Sequence, residues 1–192
     1  MEAERDCDAG LSRPAPGALK VVQGFINSRD LEEGRDGFQT PEQLQAWLAG
    51  RGLLGRDDSV GAEDLRRAME LREALRRLLF ANNGEPLDSD AAATLNRLAA
   101  TLPLRLQVQG EGAPTLQPLG SGAPAGLAQI LAIVYTAMAD GSWRRFKACR
   151  DDVCQWAFYD YSKNQSHTWC TMASCGNRNK VRAYQRRRRS QT

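Results

Sequence analysis

The sequence contains a single histidine among its 192 residues, which excludes most histidine-based catalysis and every multi-histidine metal site. It also lacks a long hydrophobic run, because the longest apolar stretch, residues 127–139, is interrupted by Gln129 and Thr136 and is too short to cross a bilayer. The acidic first ten residues contain no apolar segment of a secretory signal. We therefore expect a cytoplasmic protein without membrane contact, in which reduced cysteines serve as metal ligands or core residues.

Composition changes near residue 141. Residues 1–140 contain 14 basic and 20 acidic residues, whereas residues 141–192 contain 12 basic and 3 acidic residues. Eight of the 13 aromatic residues and four of the five cysteines also lie in this second part. A chain of this length forms one or two small domains. We predict four segments: a disordered tail over residues 1–17, a helical domain over residues 18–141, a cysteine-rich domain over residues 142–182 and a basic C-terminal tail over residues 183–192.

Helical periodicity dominates the first large segment. Apolar residues repeat at helical spacing most clearly over residues 62–82, and Thr40 with Gln43 forms a capping-box pattern before a second helix. Leu104, Leu106 and Val108 alternate with polar residues, which predicts one strand of a β-hairpin. Further helices are expected over residues 20–27, 89–102 and 124–140. The fold class is therefore mainly α with a small β-hairpin (α+β), and no catalytic motif is visible in residues 18–140.

Four cysteines predict a metal site in the C-terminal part. Cys149 and Cys154 are separated by four residues, Cys170 and Cys175 by another four, and fifteen residues lie between the two pairs. Two short loops that each supply two thiolates complete a tetrahedral Zn²⁺ site, which stabilises a segment with a small apolar core. We predict one structural zinc ion per chain. The alternative is that the cysteines are small buried hydrophobic residues. A closed four-thiolate site leaves no open position for catalysis, so we predict that the protein is not an enzyme.

The cysteine-rich segment resembles a known family. The signature Cys175-Gly176-Asn177-Arg178 closely resembles that of the CGNR-type zinc finger, as do further matching positions, which are Phe158, Asp160, Ser162, Asn164, Trp169, Met172 and Lys180. The preceding part is similar to the helical ABATE domain over residues 24–28, 47–48, 53–54, 71–75 and 95–96. The resemblance implies a bacterial, stress-responsive transcription regulator, with the helical domain followed by a small treble-clef-like or ribbon-like zinc finger.

The C-terminal end predicts a nucleic-acid contact. Arg178, Arg182 and Arg186 lie at helical spacing on one face, and residues 176–192 contain no acidic residue. The predicted nucleic-acid-binding residues are Arg178, Lys180, Arg182, Arg186, Arg187, Arg188 and Arg189. DNA is the expected partner, and RNA is compatible with the same charge. Arg178 and Arg182, nearest the zinc, are expected to support base readout.

Three alternatives remain open for these residues. The arginines can form a solvated helix end that complements the helix dipole. Asn177 and Arg178 can instead support the zinc thiolates and bond back to Asp160, which we favour over base contact for Asn177. The finger can also be a zinc-stabilised protein-interaction module without sequence-specific DNA binding.

Two polar residues interrupt apolar helical patterns in the first domain. Asn27 ends an apolar patch, and Arg72 lies within the apolar stripe of the long helix. Because buried polar groups need partners, these two side chains are candidates for a small ligand pocket. The alternative is a structural hydrogen bond between helices. The helical domain is accordingly expected to sense a small-molecule effector or to form a homodimer.

Overall fold

A computed structural model describes residues 13–108 and 114–189. Within these residues there are six α-helices and three two-stranded antiparallel sheets. The helices are α1 Leu19–Ile26, α2 Pro41–Ala49, α3 Ala62–Leu78, α4 Ser89–Ala99, α5 Gly122–Ala139 and α6 Asn177–Arg189. The strands are β1 Arg29–Asp30, β2 Arg35–Asp36, β3 Leu104–Gln107, β4 Thr115–Pro118, β5 Phe146–Ala148 and β6 Ala157–Tyr159. The predicted class, mainly α with small β elements, is confirmed.

Local sequence signals position the helices of the first domain. The capping box at the start of α2 is present: the Thr40 hydroxyl accepts a hydrogen bond from the Gln43 amide at 3.4 Å, and the Gln43 side chain accepts from the Thr40 amide at 3.2 Å. The predicted hairpin is β3–β4, with Leu106 opposite Leu116. Its outer part is more exposed than expected, since Leu106 is 65% exposed. The long helix α3 ends at Leu78, before the predicted residue 82.

The core of the helical domain forms around α1, α3 and α5. Phe25, Phe38 and Trp47 contact one another with ring centroids 5.6–5.7 Å apart. A Cβ atom on Gly126 of α5 would lie 2.5 Å from the Leu53 carbonyl oxygen, so this helix and the chain after α2 approach as closely as only glycine allows. By length and composition α5 is long and apolar enough to cross a membrane, but half of it is buried inside the protein, as in a core helix.

The composition boundary near residue 141 does not separate two cores. Phe146, Ala157 and Tyr159 of the β5–β6 hairpin belong to the same buried cluster as the helical domain. Phe158 lies between Ala157 and Tyr159 on β6 and belongs to a second cluster, with the four cysteines. Successive residues of a strand point to opposite faces. The hairpin therefore packs one face on the helices and the other on the cysteines.

The predicted disordered tail is wrong for residues 13–17. The Arg13 carbonyl accepts a hydrogen bond from the Tyr159 amide at 3.2 Å, and the Pro14 carbonyl accepts one from the Tyr161 hydroxyl at 2.8 Å. Ala15 is buried, and its amide donates to the Gln23 side chain at 2.6 Å. These residues therefore pack on both α1 and the hairpin. The rest of that tail, residues 1–12, lies outside the described residues. Residues 183–189 of the predicted basic tail belong to α6, and residues 190–192 are outside the described part.

Asn27 joins the helical domain to the hairpin. Its side-chain amide donates to the Ala157 carbonyl at 2.9 Å and accepts from the Ala157 amide at 2.8 Å. Gln23 also donates to the Ala157 carbonyl, at 3.0 Å. Both side chains are buried. The Asn27 side chain thus pairs with the backbone of β6 as a neighbouring strand would, and it satisfies a peptide group that water does not reach.

We expect Asn27→Ala to lower the free energy of unfolding by about 2 kcal/mol, because it leaves the buried Ala157 amide without its acceptor. Urea denaturation of the purified protein measures this change. Asn96→Ala, at an exposed position of α4, is the matched control and is expected to change stability little. Equal effects of the two substitutions would contradict the role of Asn27.

Candidate zinc centre and basic helix

Four cysteine side chains meet between two loops. Cys149 follows β5, Cys154 lies in the loop before β6, Cys170 precedes a short π-helical turn at Met172–Gly176, and Cys175 lies within that turn. All four are buried, and their Sγ atoms lie within 4.8 Å of one another. The Sγ atoms of Cys154 and Cys170 are 3.7 Å apart, and those of Cys170 and Cys175 are 3.6 Å apart. The predicted cysteines are therefore brought together.

These distances fit a zinc ion. A tetrahedral site with zinc–sulfur bonds of about 2.3 Å places its sulfur atoms about 3.8 Å from each other, and a disulfide would bring two of them to about 2 Å. The observed separations match the metal site and not a disulfide. The four cysteines fit one structural zinc ion.

Because the four thiols lie so close together, their pKa values shift in different directions. Hydrogen bonds from Cys154 and Cys170 lower the pKa of the Cys149 thiol. The same hydrogen bonds to Cys149 raise the pKa of Cys154 and of Cys170, and burial adds to the increase. Four thiolates cannot share so small a space without a cation, so metal binding here must displace protons.

A buried carboxylate next to the cysteines connects the first loop to α6. Asp151 accepts hydrogen bonds at Oδ2 from Arg178 Nε at 2.8 Å and from Asn179 Nδ2 at 2.7 Å. Its Oδ1 accepts from the Val153 amide at 3.2 Å and lies 3.6 Å from Arg182 Nη1. Asp151 was not predicted from the sequence. The sequence did contain a signal for it, because Asp151 is one of only three acidic residues in the basic segment 141–192 and lies between Cys149 and Cys154.

Arg178 bridges the zinc centre and the helical domain. Its Nη2 donates to Cys175 Sγ at 3.2 Å and to Glu32 in the turn between β1 and β2 at 3.1 Å. Together with the bond to Asp151, the guanidinium contacts two carboxylates and one cysteine sulfur. The hydrogen bond to Glu32, and to a smaller extent the one to Asp151, raises the pKa of Arg178. Arg178 in turn lowers the pKa of Glu32. This side chain is thus occupied inside the protein, as the alternative for Arg178 proposed.

The alternative named the wrong carboxylate and the wrong asparagine. Arg178 and Asn179 bond to Asp151 and not to Asp160, whereas Asn177 is exposed and donates to the Ala173 carbonyl at 3.3 Å. The helix phase explains this, since residues 178 and 179 turn toward the body of the protein and residue 177 turns away.

Asp160, the residue directly after β6, is a second buried carboxylate of the finger. It accepts hydrogen bonds from Lys147 Nζ at 2.9 Å, from the Ser162 amide at 2.9 Å and from the His167 amide at 3.0 Å. Burial alone would raise the pKa of Asp160, but the bonds from Ser162 and Lys147 outweigh it and hold the pKa well below its usual range. The buried Lys147–Asp160 pair therefore fixes the loop that leads to Cys170.

Asn27 and Arg72, the candidate pocket residues, bind different parts of the fold. Asn27 pairs with Ala157, as described above. Arg72 is fully buried and donates to Ser28 Oγ at 3.0 Å and to both carboxylate oxygens of Asp36 at 2.7 and 2.6 Å. These contacts support the structural interpretation, in which both side chains form hydrogen bonds within the protein.

The helical domain also holds the backbone of the zinc loops. The buried Arg76 of α3 donates to the carbonyl of Gln155, the residue after Cys154, at 3.1 Å. Asn83 donates to the Ala148 carbonyl, next to Cys149, at 2.6 Å. Both sides of the first cysteine pair are therefore fixed by side chains of the helical domain.

The seven predicted nucleic-acid-binding residues separate into two groups on α6. Arg178, Arg182 and Arg186 share one face of the helix, as predicted, but Arg178 and Arg182 are half-buried and both approach Asp151, whereas Arg186 is exposed. The remaining cations are exposed, namely Lys180, Arg186, Arg187, Arg188 and Arg189.

The fold and the site define a zinc-finger protein with an N-terminal helical domain. A model of the family described as "ABATE: Putative stress-induced transcription regulator" matches residues 19–141, and a model of the CGNR zinc finger matches residues 145–188. The chain belongs to the ABATE family and carries a CGNR zinc finger. The resemblance predicted from the sequence is thus confirmed. No curated protein matches the chain.

Purified protein is expected to contain one zinc per chain, and Cys170→Ser is expected to lose most of it, since three thiolates hold zinc more weakly than four. Elemental analysis by mass spectrometry measures the ratio of metal to protein. Cys7→Ser, which removes the cysteine outside the described residues, serves as the control and should retain full zinc. Substoichiometric zinc that Cys170→Ser leaves unchanged would argue against the site.

Asp151→Asn should weaken zinc affinity about tenfold or more, because it removes the negative charge that holds Arg178 beside Cys175 Sγ. Competition with a chromogenic chelator measures the affinity. Asp152→Asn is the matched control, since it makes the same chemical change at the adjacent, exposed position. If both variants bound zinc equally well, Asp151 would have no role in the metal site.

Proposed function

We propose that this protein is a DNA-binding transcriptional regulator in which a zinc finger fixes the basic helix α6 for contact with DNA. The helical domain, in this proposal, senses a small-molecule effector or mediates homodimerisation. The observation that carries the proposal is α6 itself: it begins at the zinc-binding turn, has no buried residue and contains no acidic side chain. The family description of a stress-induced transcription regulator agrees with it.

Charge distribution supports contact through the finger. Residues 1–140 have a net charge of −6, and residues 141–192 have a net charge of +9. Four thiolates and one Zn²⁺ contribute −2, so the C-terminal part retains +7 with metal bound. Phosphates are therefore repelled by the helical domain and attracted to the finger, which orients the protein on a polyanion.

The exposed cations define the phosphate-contacting set. Arg178 and Arg182 are engaged with Asp151, so we assign phosphate contact to Lys180 and to the run at residues 186–189. These residues extend over three turns of α6, and the backbone of a duplex offers phosphates along the same length. RNA presents the same charge and is the second candidate polyanion.

A protein-interaction function is supported by a different observation. The finger already packs on its own helical domain through Phe146, Ala157 and Tyr159, and Arg178 bonds to Glu32 across the same boundary. In that alternative the zinc serves to complete the fold, and α6 binds an acidic protein surface.

Binding to a 30-base-pair duplex should weaken with salt, with a slope of log K against log salt of about −4 to −5, if five exposed cations contact phosphates. Replacing Arg186, Arg187, Arg188 and Arg189 by glutamine should reduce the slope to about −1 and weaken binding to all sequences alike. Fluorescence anisotropy at several salt concentrations measures both.

A charge-matched variant provides the control. Replacing four exposed arginines of the helical domain, Arg56, Arg66, Arg97 and Arg105, by glutamine changes the net charge equally and should leave the slope unchanged. An unaltered slope in the α6 variant would refute the phosphate assignment. Absence of binding even at low salt would refute the DNA-binding function and favour the protein-interaction alternative.

A further inference from the structure

The helix α6 has two different sides. On the inner side, Arg178, Asn179 and Arg182 are half-buried and approach Asp151. The outer side is exposed and consists of Asn177, Lys180, Val181, Tyr184, Arg187 and Arg188. The inner contacts fix the rotation of the helix about its axis, so they also determine which residues face outward.

Two apolar side chains lie in the middle of the outer side. Val181 is 55% exposed and Tyr184, one turn later, is 58% exposed. Within the described residues, neither belongs to the buried cluster of the helical domain or to that of the cysteines. Arg188 lies over the Tyr184 ring, with its Cζ atom 6.0 Å from the centroid. At 100° per residue, Lys180 and Arg187 lie along one side of these apolar side chains, and Arg188 lies between them. A stripe in which apolar groups and cations adjoin is complementary to a surface where apolar groups lie beside a row of anions.

The major groove of duplex DNA has that chemistry. It is about 12 Å wide, with thymine methyl groups and base edges at its floor and phosphates along its rims. A helix with its side chains is about 10–12 Å across, and the 13 residues of α6 extend about 20 Å. The outer side of α6 therefore fits the groove in size, in charge and in the position of its apolar residues.

We propose that the outer side of α6 enters the major groove and that Asn177, Val181 and Tyr184 read base edges there. This inference rests on the proposed DNA-binding function and identifies the residues that determine its specificity. Val181 and Tyr184 contact thymine methyl groups, and Asn177 pairs with adenine, so the core of the recognised site consists of A·T base pairs. Arg178 and Arg182, the base readers expected from the sequence, are positioning residues in this arrangement because Asp151 holds them on the inner side.

Selection from a random duplex library tests the proposal with the full-length, zinc-bound protein. The unaltered protein should enrich sites with an A·T core. Val181→Ala/Tyr184→Ala should reduce the ratio of selected-site to random-duplex affinity about tenfold or more, while the salt slope stays the same because phosphate contacts are intact. Tyr135→Ala is the matched control, because Tyr135 on α5 is also 58% exposed. Equal zinc content and circular dichroism establish that each variant is folded.

The outcomes separate the two proposals. If the unaltered protein binds DNA with the expected salt slope but the double variant keeps the same preference as Tyr135→Ala, the base-reading assignment is wrong and the DNA-binding function stands. Preferred binding to single strands, weakened by Tyr184→Ala, would also overturn groove insertion, since Tyr184 would then stack on unpaired bases. No binding by the unaltered protein at low salt overturns both proposals.

Discussion

The alternation of side chains along β6 is the constraint on which the other contacts depend. Ala157 and Tyr159 pack with the helices, whereas Phe158, between them, packs with the cysteines. Because β6 has only three residues, a shift of the strand that changes the packing on one face also moves the side chains on the other face. Asn27 then fixes the register by pairing with both polar groups of Ala157. The ABATE domain and the CGNR zinc finger therefore share one structural element, the strand β6.

Buried charges form polar networks in both the helical domain and the finger. Arg72, Arg76, Asp151 and Asp160 are all buried, and each forms several hydrogen bonds to protein groups. Such groups add little net stability compared with apolar residues of the same size, but an alternative packing that separates them leaves a charge without a partner. The polar network thus disfavours other arrangements of the finger on the helices, and α6 keeps one orientation.

Sequence patterns predicted local structure better than contacts between distant segments. The capping box at Thr40 and the spacing of Cys149, Cys154, Cys170 and Cys175 depend on neighbours along the chain, and these were right. The sharing of β6 depends on residues about 130 positions apart, as in the pair Asn27–Ala157. The identity of the inner side of α6 likewise depends on Asp151, 27 positions before Arg178. Helical periodicity predicts which residues share a face of a helix, but not which face packs against the rest of the protein.

The shared strand links metal binding to the resistance of the whole protein to proteolysis. Any ligand that binds only the folded state stabilises everything that folds with it. Since the cysteine cluster and the helices meet on opposite faces of β6, loss of metal would loosen residues on both sides of the strand. Proteases cleave the opened state of a protein, so the whole chain and not only its finger would become a substrate for degradation. Bound metal would thereby protect the helical domain from proteolysis as well as the finger.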